Sequence, residues 1–280
     1  MNIGIVGLGL IGGCLGFDFK ALGHHVYGIA RRVETCEQAL SRSVVDAAST
    51  DITALKSCEI VFVCTPIATI VPTVAVLANV LEPSAIITDV GSVKAAIVEA
   101  ATAKWAQFVG GHPMSGKSEA GLAVAEPGIF QNRPYVLTPV EQTNVAAIAI
   151  VEDLAKQLHS QVYRCSPTAH DRAVAWISHL PVMVSSGLIQ SALHEPDTGV
   201  RKLAQQLASS GFRDTSRVGG GNPELGLMMA QYNRTEMIRA LKRYQQTIEQ
   251  TLMQLEAEDW PAIAQQLQET QAARPAFVDE

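Results

Sequence analysis

The stretch Asn2-Ile3-Gly4-Ile5-Val6-Gly7-Leu8-Gly9-Leu10-Ile11-Gly12 is an apolar run feeding glycines spaced G-x-G-x-x-G, followed by residues able to continue as a helix through Leu22. The pattern predicts a strand, a tight turn and a helix start. Such a unit aims free backbone N–H groups and the positive end of a helix dipole at one place, where a pyrophosphate can sit. In that reading Gly7 makes the turn, Gly9 lets phosphates approach the backbone and Gly12 lets helix and strand pack closely, with Leu8, Leu10 and Ile11 as the other cofactor-contacting residues of the loop. A glycine-rich turn without a ligand could share these letters. The strand before and the helix after are the context that the dinucleotide fingerprint requires.

Working outward, Val26-Tyr27-Gly28-Ile29 predicts a second strand ending at Ala30-Arg31-Arg32. An enzyme for NAD carries an acid there to accept hydrogen bonds from the ribose 2′-hydroxyl, whereas this chain has no acid before Glu34. Two guanidinium groups suit a 2′-phosphate, which predicts NADP as cofactor, and the alternative is that Arg31 and Arg32 solvate a turn. Glu59–Cys64 predicts a strand buried on both faces that stops at Thr65-Pro66, and Ala85–Asp89 a further one running into Val90-Gly91-Ser92-Val93-Lys94. Alternating strands and helices make residues 1–166 a doubly wound α/β domain of Rossmann type, with ligands at the carboxyl ends of the strands. Cys64, Thr65, Pro66, Val90 and Gly91 would therefore line the cofactor crevice.

Phe108-Val109-Gly110-Gly111-His112-Pro113-Met114-Ser115-Gly116-Lys117 predicts a strand ending in a loop, with His112 a candidate general base at that crevice. His24, His25, His159, His170 and His194 lie in polar surroundings and read as surface residues. Ser166-Pro167 is the seam. Residues 167–280 carry apolar-periodic segments at 169–194, 200–211, 223–256 and 259–273, which predict an all-α second domain.

The chain has 280 residues, 48% of them hydrophobic, and a formal net charge of −6, and no Lys/Arg run is longer than a pair. This argues for a small-molecule ligand and against nucleic acid. The start of the chain has no secretory pattern and no stretch reaches about 18 uninterrupted apolar residues, which predicts a cytoplasmic protein without a membrane anchor. Five cysteines without a C-x-x-C pair read as free thiols, and none as a metal ligand.

The glycine turn, Asp89-Val90-Gly91-Ser92-Val93-Lys94, Gly110-Gly111-His112-Pro113-Met114, and Ser178-His179-Leu180-Pro181 with Gly211-Phe212-Arg213-Asp214-Thr215-Ser216-Arg217 together resemble the prephenate/arogenate dehydrogenases of tyrosine biosynthesis. The resemblance spans the chain. It implies oxidation of a cyclohexadienol alcohol with NAD(P) while the ring carboxylate leaves as carbon dioxide, in a homodimer built through the C-terminal helices. It implies His112 as catalytic base, Ser92 as the hydroxyl that orients the substrate alcohol, and Arg217 as carboxylate partner. Arg213 is a weaker candidate that could instead pair with Asp214. His179 is a substrate-side candidate or a packed core histidine, Gly116 and Ser118 fall beside the substrate, and Met114, Met229 and Asn233 fall toward the nicotinamide.

Some prephenate-using relatives carry a second histidine where this chain has Val182 and a glutamate where it has Ser118. Both departures fall around the substrate side chain, a keto acid in prephenate and an ammonium in arogenate. Losing the histidine favours arogenate, although losing the glutamate removes an ammonium partner. Another two-domain hydroxyacid dehydrogenase and a noncatalytic nucleotide sensor are the competing readings.

Overall fold

The computed structural model describes residues 1–117 and 119–278. Met1–Arg234 forms one compact unit and Thr235–Glu280 a second. The first unit begins with β1 (Asn2–Val6), α1 (Leu10–Ala21), β2 (His25–Ile29), α2 (Val33–Ser41), β3 (Ala47–Ser49), β4 (Ile60–Val63), α3 (Ile67–Leu77), β5 (Ile86–Asp89), α4 (Ala95–Thr102) and β6 (Phe108–Val109). Their strands make one sheet in the order β3-β2-β1-β4-β5-β6, every neighbouring pair parallel. This is the doubly wound order, in which the direction of winding reverses between β1 and β4 and opens a crevice beyond their carboxyl ends.

Residue parity sorts the sheet's two faces, because successive side chains on a strand point opposite ways. Ile3, Ile5, Ile60 and Phe62 enter one core with Leu15 and Phe19, while Val6, Val61 and Val63 enter the other with Ile70, Val74 and Leu77. Each such side chain, fully buried, stabilises the fold by roughly 1.5–3 kcal/mol.

A second sheet, absent from the sequence reading, follows. It contains β7 (Gly111–Pro113), β8 (Pro134–Leu137) and β9 (Gln161–Arg164), with α5 (Val145–Gln157) between the last two. β7 runs antiparallel to β8, and β8 parallel to β9. The chain changes sheets at Gly110, where a Cβ would come within 2.5 Å of both Thr138 Oγ1 and Val98 Cγ2. His112 therefore sits on a strand, opposite Val136, and not in a loop.

From Ser166 the unit is helical. Its Oγ accepts from Ala169 N at 3.2 Å and Pro167 occupies the first turn, so α6 (Pro167–Val174) starts with a cap and a pre-set φ. A π turn over Ala175–His179 joins α6 to α7 (Leu180–Leu193). Pro181 has no N–H to give the preceding turn, and the widened turn accommodates that missing donor. The continuous helix Pro167–Leu193 has the length and apolar composition to cross a membrane. Ser, His, Pro and Gly interrupt its apolar residues, so it contains no unbroken apolar run of that length. Its His170, Asp171 and His179 are nevertheless buried within the protein.

Two expected helices are broken. Residues 200–211 divide between α8 (Thr198–Leu207) and α9 (Ser210–Ser216), and α10 (Pro223–Tyr232) ends at Asn233 before α11 (Arg234–Glu256) begins. The second unit holds the rest of α11 and α12 (Trp260–Ala273), which Asp259 caps by accepting from Ala262 N at 3.1 Å.

Candidate active site

The turn after β1 fits a dinucleotide. Gly7 has φ +102°, and a Cβ there would stand 2.5 Å from Cys64 O; one on Gly12 would stand 2.1 Å from Gly7 O. Both positions thus exclude any larger residue. At Gly9, the N-cap of α1, a Cβ would meet nothing within 4 Å, and α1 has neither a side-chain cap nor an acid in its first turn. The helix end is left with free N–H donors facing open space, which is what a phosphate requires. Across the switch point Cys64 N donates to Val6 O at 2.7 Å, and Thr65 Oγ1 is buried without a partner among the described residues. Ala30 is buried at the end of β2, whereas Arg31 and Arg32 are exposed and have no ion-pair partner among those residues.

A buried polar cluster gathers around His112. Ahead of α4, Lys94 is fully buried and its Nζ is paired with Asp89 Oδ2 and donates to Gly111 O at 2.8 Å. Asp89 also accepts from Gly91 N at 2.9 Å and Gly111 N at 3.2 Å, so it ties the Ser92 loop to the start of β7. Burial outweighs the charge of Asp89 and lowers the Lys94 pKa from its usual value. Ser92 Oγ is buried with no partner among the described residues.

His112 Nδ1 lies 2.8 Å from His170 Nε2, and His170 Nδ1 lies 2.8 Å from Asp171 Oδ1. Asp171 further accepts from Lys94 N at 2.7 Å and Ala95 N at 2.8 Å, which makes it the cap of α4 supplied from α6. Burial first, and then His170, Lys94 and His179, hold the His112 imidazole well below its usual pKa. His170, expected at the surface, is thus 2% exposed and in contact with the candidate base. Among the other histidines expected at the surface, His25, His159 and His194 are exposed and His24 is half-buried.

His179 is fully buried in the π turn. Its Nδ1 lies 3.0 Å from Asn233 Nδ2, which also donates to Asp171 O at 2.8 Å, and its Nε2 has no partner among the described residues. An amide nitrogen only donates, so Nδ1 accepts and the neutral ring carries its proton on Nε2 as an unused donor. Burial, against the pull of Asp171, pushes His179 down to about 4. The unfolded ring titrates near 6.5. Between these values the unfolded chain binds a proton that the folded protein does not, so stability falls as pH falls through that window. The slope reaches about 1.4 kcal/mol per pH unit, or about 3 kcal/mol in total for this histidine. Urea midpoints should accordingly drop between pH 7 and pH 4.5, and equal midpoints would contradict a buried neutral His179.

The structure brings His112 and Lys94 together with His170, Asp171, His179 and Asn233, with Ser92 in the loop that Asp89 ties to β7 and Met229 one turn before Asn233, its carbonyl accepting from Asn233 N at 3.0 Å. Met229 is buried in α10, Met114 is half-buried, and Gly116 is exposed. Arg213 pairs with Asp214 at 3.1 Å, both of them exposed, and Arg217 is exposed at the start of a 3₁₀ turn. Neither arginine hydrogen-bonds to the His112 cluster. Ser118 lies outside the described residues. Sequence reasoning missed His170 and Asp171; the available signal was a carboxylate adjacent to a histidine at the start of a helix.

Residues 15–164 match the family model for the prephenate dehydrogenase nucleotide-binding domain, and residues 166–269 that for the prephenate dehydrogenase dimerization domain. The chain is 30% identical to prephenate dehydrogenase of Bacillus subtilis over 262 residues, covering 91% of this chain and 70% of that one. It superposes on the crystal structure of Synechocystis arogenate dehydrogenase with TM-score 0.90 at 48% identity, over 99% of this chain and all of that one. The fold also matches, with TM-score 0.94 at 23% identity, prephenate dehydrogenase from A. aeolicus in complex with hydroxyphenyl propionate and NAD+, over 99% of this chain and 98% of that one. The two family matches meet where β9 gives way to α6 and between them take in the whole histidine cluster, with the glycine turn just ahead of the first: the chain belongs to the prephenate/arogenate dehydrogenase family of oxidoreductases.

Proposed function

We propose that the protein is an NADP-dependent arogenate dehydrogenase that converts arogenate to tyrosine by oxidative decarboxylation. The observation that carries the reading is His112, a buried neutral imidazole whose Nδ1 is engaged by His170 while the described residues offer Nε2 no partner. Ser92 Oγ, buried and without a partner among the described residues, orients the ring hydroxyl, and His112 Nε2 takes its proton as the carbinol carbon is oxidised. Bound NADP supplies the hydride acceptor. Gly7, Gly9 and Gly12, with Leu8, Leu10 and Ile11, would hold its pyrophosphate at α1, and Arg31 and Arg32 its 2′-phosphate. Cys64, Thr65, Pro66, Val90 and Gly91 would line its crevice, and Met114, Met229 and Asn233 are the residues we assign to its nicotinamide end. Arg217 engages a substrate carboxylate, and departure of the ring carboxylate as carbon dioxide leaves an aromatic product, so the step runs one way. The His179 Nε2–H, a buried donor without a partner among the described residues, would serve the substrate.

Two features support the finer assignment. The end of β2 has arginines and no acid, and the 48% identical Synechocystis protein is described as an arogenate dehydrogenase. The division of labour falls at Ser166–Pro167, and the C-terminal helices pair two copies in a cytoplasmic homodimer. The dimerization-domain match and apolar residues exposed on α8, among them Val200, Leu203 and Leu207, support that pairing.

Prephenate is the second reading, favoured by the name of the Bacillus subtilis relative. Steady-state assays of NAD and NADP, each with prephenate and arogenate, test the choice. A site without a donor for the side-chain keto group leaves that group unpaired, at about 1–3 kcal/mol, so arogenate should be preferred roughly ten- to hundredfold. Val182→His should raise prephenate turnover; equal efficiency with the two substrates in the wild type would refute the arogenate assignment.

A further inference from the structure

We propose that His170 and Asp171 are positioning residues that hold His112 in one tautomer, with its proton on Nδ1 and its lone pair on Nε2. The inference rests on the reading of His112 as the base. Both carboxylate oxygens of Asp171 are acceptors, because backbone amides donate to each, Lys94 N to Oδ1 and Ala95 N to Oδ2. The remaining contact of Oδ1 is with His170 Nδ1, so that nitrogen carries the His170 proton. A neutral imidazole protonated on Nδ1 is bare on Nε2. His170 Nε2 stands 2.8 Å from His112 Nδ1, so the proton in that bond belongs to His112. A neutral His112 protonated on Nδ1 has its lone pair on Nε2, the form a general base needs.

The polarity starts at the two backbone amides, which cannot reverse, and runs through Asp171 and His170 to the catalytic ring. The groups facing His112 are His170 on α6, Lys94 ahead of α4 and His179 in the π turn, with Asp89 behind Lys94 and Asp171 behind His170. Lys94 Nζ is held by Asp89 and the Gly111 carbonyl, which leaves His170 as the partner of His112 Nδ1.

The test compares His170→Phe with His170→Gln in the full chain with NADP, by kcat and KM and by long-range ¹H–¹⁵N correlation of the histidine rings. His170→Phe gives His112 no acceptor and should lower kcat at least about tenfold, with KM for both substrates within about twofold and loss of the pure Nδ1–H signature. The Gln amide can donate to Asp171 and accept from His112, so His170→Gln should recover kcat to within about fivefold of wild type and keep that signature. Wild-type kcat in His170→Phe, or a His170→Gln as slow as His170→Phe, would overturn the proposal. Should His170→Phe not fold, the wild-type spectrum decides: a His112 protonated at Nε2 overturns it, and one protonated at Nδ1 upholds it. His112→Asn, run alongside, separates the two ideas, since its loss of turnover with an intact His170→Phe would sink the positioning role and leave the base in place.

Discussion

His112→Asn is expected to lower turnover by roughly 10²–10⁴, the range for removal of a positioned general base. Dinucleotide affinity should barely change, because the mutation touches neither the glycine turn nor the end of β2. A loss confined to kcat, with little change in KM, is the signature of an interaction made in the transition state. Burial holds the His112 ring neutral well below the usual imidazole range. The base is therefore competent in mildly acidic solution, and the acid limb of kcat/KM should lie below pH 6.5, the ordinary histidine value. Ser92→Ala should cost less, since it orients the hydroxyl without taking its proton. Wild-type turnover in His112→Asn would refute His112 as the base.

Replacing Arg31 and Arg32 together by Ala should weaken NADP by about 2–3 kcal/mol, or roughly 30- to 150-fold in Kd, with little change for NAD. Each charge-assisted bond to a phosphate can contribute more when buried, but both side chains are exposed, and solvent reduces the gain. Titration of the protein with each dinucleotide, followed by fluorescence or calorimetry, reads the difference directly. Equal losses for the two cofactors would mean that the arginines do not distinguish the phosphate from the hydroxyl.

Most of the parallel sheet was legible because its central strands carry their own signals: the apolar run Ile60–Val63, the apolar start Ile86-Ile87 of β5, and glycines at positions where a side chain would strike backbone, whereas β3, three small residues at the edge, carries none. The second sheet was not. β7 is three residues long and pairs across a gap of more than twenty residues, so nothing local distinguishes it from a loop. His170 was misjudged for a related reason. Its sequence neighbours Thr168, Asp171 and Arg172 are polar, and its burial comes from His112, 58 residues away. For Arg213 the pairing with Asp214 was readable because the partner is the next residue.

The π turn also sets the phase of the long helix. His170 and His179 are nine residues apart, which on a regular α-helix is about two and a half turns and would put them on opposite sides. A widened turn between them takes up one residue without advancing the helix, so the effective separation is close to eight and the two rings swing toward the same side. Asp171 and His179 then differ by about two whole turns and lie nearly in line. The hydrogen bonds agree with this alignment: Asn233 reaches the Asp171 carbonyl and the His179 ring with one amide nitrogen. The irregularity therefore works as an angular offset that brings His179 round to the side of Asp171, where Asn233 bridges the two while His170 reaches His112 and the Asp171 carboxylate caps α4.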